Sequence, residues 1–88
     1  MKINIDDLRK KIIYRSTYRG TKEMDKLLSA FTKKIINKLD RKELVSLSNL
    51  MDLDDENLYK FNQGLETTIS IEMNKVTTLF KNFKFNDN

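Results

Sequence analysis

The amino-acid sequence predicts an all-α protein, a small five-helix bundle forming a single domain. Three observations carry this. Every apolar-periodic segment follows the helical period and none alternates as a strand would. The chain contains no proline, and its two glycines, Gly20 and Gly64, fall between periodic segments as punctuation. A length of 88 residues suits one domain and not two. The domain is expected to occupy residues 1–88, with its ordered core over about 6–84.

The first helix is expected over about Asp6 to Thr17. Ile5, Leu8 and Ile12 share one face, and Asp6 and Asp7 meet the helix dipole in the first turn. The second, about 22–38, carries Met24, Leu27, Leu28, Phe31, Ile35 and Leu39 as a continuous apolar stripe with most of its lysines off it. Asp40 followed by Glu43 reads as a capping box that opens a third helix, with Leu44, Leu47, Leu50 and Met51 inward. Asp54 caps a short fourth helix bearing Leu58 and Phe61, and Gly64 ends it in the left-handed conformation. A fifth helix from about Thr68 presents Ile69, Met73, Val76, Leu79, Phe80 and Phe83. The tail Asn86-Asp87-Asn88 is polar and expected to fray. The helical spacing of Phe31, Phe61, Phe80, Phe83, Met24 and Met73 assigns them to the core and not to a ligand pocket.

Composition excludes most catalytic chemistry. There is no cysteine for a disulfide or thiolate site, and no histidine for a catalytic triad or an imidazole ligand. The acidic run Asp52 to Glu56 lacks the glycine and terminal acid of a calcium loop. Asp54 and Asp55 are adjacent on a helix and so point apart. No glycine-rich phosphate loop occurs. No apolar run reaches the ~18 residues of a membrane span. The start Met-Lys-Ile-Asn-Ile-Asp lacks the apolar core of a signal peptide, so a reducing cytoplasm is expected, and abundant Lys, Asn and Ile are compatible with an AT-rich bacterial genome.

The net charge of +4 is concentrated at one end. Residues 1–23 hold seven bases, among them Lys2, Arg9, Arg15 and Arg19, against three acids, while the rest of the chain balances. Such an end can be a solvated helix face, or it can bind nucleic acid, an anionic membrane surface or an acidic protein face. A small nucleic-acid-binding or regulatory protein is the alternative to the reading below. No helix, however, interleaves bases with side chains suited to base edges.

The turn Tyr18-Arg19-Gly20-Thr21-Lys22-Glu23-Met24-Asp25 lies at this basic end. Gly20 permits either an unusual backbone conformation or a close approach. With Gly20 or Thr21 as cap, Glu23 falls in the first turn of the second helix, where it can bond back to free N–H groups. Arg19 offers a planar fork of donors for a bidentate partner, and Asp25 lies on another side of the helix from Glu23. An ordinary helix-helix corner with a cap and an ion pair accounts for these features as well.

Leu8-Arg9-Lys10-Lys11-Ile12-Ile13-Tyr14-Arg15-Ser16, with the Arg19-Gly20-x-x-Glu23 segment after it, resembles the succinate dehydrogenase assembly factor family, the flavinylation factors of bacteria and mitochondria. Leu50-Met51-x-x-Asp54-Asp55-Glu56-Asn57-Leu58-Tyr59-x-Phe61 is similar to the family's second signature. The likeness runs over roughly residues 6 to 83. Glu56 stands where the family commonly has proline and Phe61 where it has tryptophan, which touches packing more than the motif. The resemblance implies a non-enzymatic helper that binds the flavoprotein subunit of succinate dehydrogenase, with fumarate reductase a possible second client. It implies promotion of covalent FAD attachment to a histidine of that subunit, with no cofactor held tightly by the helper. Partner binding is then expected at Arg15, Arg19, Gly20, Glu23 and Asp25, with a monomer the simplest state, no nucleic acid and no membrane insertion.

Overall fold

The computed structural model describes residues 4–84. It contains five α-helices and no strand among those residues: α1 (Ile5–Thr17), α2 (Lys22–Ile35), α3 (Arg41–Met51), α4 (Asp55–Gln63) and α5 (Lys75–Asn82). A 3-10 turn, Ile36–Lys38, finishes α2. The expected fraying of Asn86-Asp87-Asn88 lies outside the described residues, as does Lys2.

Each helix starts where a side chain satisfies its free N–H groups. Asn4 caps α1 by accepting from the amides of Asp6 and Asp7. Asp40 and Glu43 form the reciprocal capping box of α3, at 2.8 and 3.0 Å. Asp54 caps α4 through the Asn57 amide, and Gly64 closes it with φ 74, the left-handed conformation expected of it.

The core is one cluster. Leu8 and Ile12 of α1 meet the whole α2 stripe, Leu44, Leu47, Leu50 and Met51 of α3, Leu58 and Phe61 of α4, and Val76 and Phe80 of α5. Ile5 and Phe83 pack against its rim. Phe31 lies 5.0 Å from Phe80 and 5.4 Å from Phe83 between ring centroids, so α2 and α5 are joined by aromatic contacts.

The fifth helix differs from expectation. It starts at Lys75 and not near Thr68, and Ile69, Met73 and Leu79 are exposed. Two polar devices explain this. The buried Asn57 side chain accepts the Thr68 amide at 2.8 Å and donates to the Thr68 hydroxyl at 3.0 Å, holding this stretch as a connection. Asn74 and Thr77 then form a capping box that fixes the start of α5. Met73 therefore stands outside the core to which its spacing assigned it.

Candidate functional site

The α1–α2 corner is built by backbone capping from both sides. Tyr18 ends α1, its N–H donating to the Tyr14 carbonyl at 3.1 Å. Thr21 caps α2, its hydroxyl accepting the Met24 N–H at 3.2 Å. Between them Asp25, one turn into α2, accepts the backbone N–H of Arg19. Asp25 thus faces back into the corner it follows.

The Arg19 guanidinium points inward, and each of its three nitrogens donates to an acceptor of the chain. Nε donates to Asp55 Oδ1 at 2.9 Å, one terminal nitrogen to the Met51 carbonyl at 2.8 Å and the other to the Leu53 carbonyl at 2.7 Å. The bidentate partner foreseen for its fork is therefore the α3–α4 corner of the same chain. Met51 is the last residue of α3 and Leu53 lies between α3 and α4, so their carbonyls lack helical partners and Arg19 supplies them. Arg15 reinforces the joint through an ion pair with Asp52. The basic end and the mid-chain acidic cluster are thereby brought together, and the helix-capping acid Asp54 stands beside them.

Gly20 is exposed and does not use the left-handed conformation; Gly64 alone among the described glycines does. A Cβ built on Gly20 would lie 3.4 Å from Asp55 Oδ2, an ordinary contact. Of the two roles open to Gly20, the unusual backbone conformation is not used, and within the chain a Cβ would be accommodated. Glu23 is exposed at the second position of α2 and forms no hydrogen bond or ion pair among the described residues. It does not complete a capping box, because Thr21 as cap makes Met24 the third helical residue.

The five sequence-selected residues therefore divide. Arg15, Arg19 and Asp25 turn inward and assemble the corner; Gly20 and Glu23, with Thr21 and Lys22, form its exposed crest. Asp52, Asp55 and the Met51 and Leu53 carbonyls were not foreseen as members. Opposite charge at the two segments was visible, but nothing in the sequence pairs residues 36 apart.

Charge is also redistributed by Arg9, which pairs with Asp6 at 3.2 Å. Arg9, Arg15 and Arg19 thus each have an acidic partner within the chain. No group of three or more acids could hold a metal among the described residues, and no described helix is long and apolar enough to cross a membrane.

A family model described as the flavinator of succinate dehydrogenase matches residues 10–84. The chain belongs to this family. Comparisons with curated proteins and with solved structures give no match. The match spans both corners, so the Arg19-Gly20-x-x-Glu23 segment and its Asp55 anchor fall inside it. A flavinator is an assembly factor and not an enzyme. Its role belongs to the flavinylation of succinate dehydrogenase.

Proposed function

We propose that this flavinator binds the flavoprotein subunit of succinate dehydrogenase through the crest Gly20–Glu23, and that binding favours the arrangement in which FAD becomes covalently attached to that subunit. The observation that carries this is the inward commitment of Arg19. Its three bonds fix the corner and leave Gly20, Thr21, Lys22 and Glu23 as a rigid exposed surface whose glutamate has no partner in the described chain. Arg15, Arg19 and Asp25 serve binding by shaping that surface.

Differential affinity for one client arrangement is the free energy such a protein can supply. The acceptor histidine belongs to the client, since this chain has none. FAD remains with the client throughout, and the assembly factor acts as a monomer in a bacterial cytoplasm. Fumarate reductase is a second client under the same reading.

The test is Gly20→Arg. The position is exposed, so the long side chain can leave the bundle folded while blocking close approach. Covalent flavin fluorescence of the flavoprotein band is compared in cells lacking the factor and supplied with either form. Loss of the band with Gly20→Arg, at unchanged melting temperature of the purified variant, is expected. Normal binding and normal fluorescence would remove the crest as the site.

A further inference from the structure

We propose that the outward face of α1, built on Tyr14 and Tyr18 with Lys10 and Lys11 beside them, is a second part of the client interface. It extends the Gly20 crest and seats an acid-rimmed apolar patch of the flavoprotein subunit. This rests on the docking reading above and adds residues that it does not use.

The core face of α1 is Leu8, Ile12 and Ser16. Tyr14 and Tyr18 project from the opposite side, at 66% and 67% exposure, and are the most exposed large apolar side chains among the described residues. They are not scattered singly, which would need no explanation. Spaced i, i+4, their ring centroids lie 4.7 Å apart with planes at 44°. Each ring restrains the other, and neither hydroxyl bonds to another described residue. Paired tyrosines of this kind supply large contact area with little side-chain entropy left to lose.

Two features define what covers them. The first is continuity: Tyr18 is the cap residue that leads directly into Arg19 and Gly20, so the pair and the crest are contiguous along the chain. The second is charge. Lys10, Lys11 and Lys22 are exposed and enter no ion pair among the described residues, whereas the arginines of the same end are neutralised internally. A surface with two rings beside the exposed Lys10 and Lys11 complements an apolar patch rimmed by carboxylates. A second copy of this chain would bring the same cations face to face across a two-fold contact, which disfavours self-association there.

The test uses the full chain with Tyr14→Ser and Tyr18→Ser together, both remote from the core face. Affinity for purified flavoprotein subunit lacking covalent FAD is measured by calorimetry beside wild type and Gly20→Arg, with sedimentation to give oligomeric state. The double tyrosine variant should melt like wild type and bind about tenfold more weakly or worse. Lys10→Glu with Lys11→Glu should weaken binding most at low salt. If the tyrosine variant binds within about twofold of wild type while Gly20→Arg does not bind, the strip is refuted and the crest stands. Absence of wild-type binding refutes both. A wild-type dimer that the tyrosine variant converts to monomer, with client affinity unchanged, assigns the strip to self-contact and overturns the inference.

Discussion

Arg19 Nε lies 2.9 Å from Asp55 Oδ1, joining the turn before α2 to the first residue of α4 across 36 residues of sequence. With the Met51 and Leu53 carbonyls on its other nitrogens, this side chain is only 11% exposed, against 30% for Asp55. Removing it strands two carbonyls and a carboxylate at a partly solvated joint. Arg19→Ala should therefore cost roughly 2–3 kcal/mol, below the figure for a fully buried pair because water can reach Asp55. Arg19→Lys should recover less than half of this, since one ammonium cannot reproduce a three-way fork. Urea unfolding followed by circular dichroism measures both.

The two glycines should respond to different degrees. Gly20→Ala meets Asp55 Oδ2 at 3.4 Å with no left-handed backbone to strain, so stability should change by less than about 1 kcal/mol. Gly64→Ala has open space but a φ of 74, and should cost about 1–2 kcal/mol. Parallel thermal melts of the two variants decide this.

Stability should fall at both pH extremes through the α3 and α4 caps. The Asp40 amide and the Lys75 ammonium hold Glu43 below its ordinary 4.5, and the Asn57 side chain and amide hold Asp54 below 3.8. Carboxyls lowered in the folded state contribute fully above their unfolded values. That contribution is lost as pH falls from those values through the lower folded ones. Lys75 is raised above 10.5 by its hydrogen bond to Glu43 at 2.9 Å, so its contribution is present below 10.5 and lost as pH rises through the folded value. Glu43→Gln should flatten both limbs, while Asp54→Asn should flatten the acid limb alone, in melts taken from pH 2 to 11.

Asn62 should prove a strong stability position despite being polar. It is 1% exposed, and its amide donates to the Phe80 and Phe83 carbonyls at 2.8 Å each, closing the end of α5. Lys84 returns a bond to the Asn62 carbonyl at 3.0 Å. Asn62→Leu should cost on the order of 2–3 kcal/mol and raise amide exchange in α5 before the other helices.

Much of the architecture was legible because its cause is local. The Met24 to Leu39 stripe is buried at all six positions, since a helical period repeated over four turns admits one inward face. Asp40 and Glu43 cap α3 as their spacing implied, and Gly64 ends α4. The start of α5 was not legible, because Ile69 and Met73 keep the helical period while Asn57, eleven residues earlier, claims Thr68 by hydrogen bonds that periodicity does not register. The corner was half legible. Its residues were identified and an internal ion pair was one of the readings left open, but the partners of Arg19 were not legible, because they are two backbone carbonyls and an acid set by tertiary packing.

The joint between the two corners also acts as a completeness check on the chain. Its parts lie on opposite sides of α2 and α3 in the chain, so the bonds that brace one corner against the other form only once both helices have folded and packed. A fragment that stops before Asp55, or a chain stalled with α3 undocked, would carry every letter of the Arg19-Gly20-x-x-Glu23 segment without its shape. Recognition based on that shape would distinguish a finished molecule from an unfinished one without any separate inspection step.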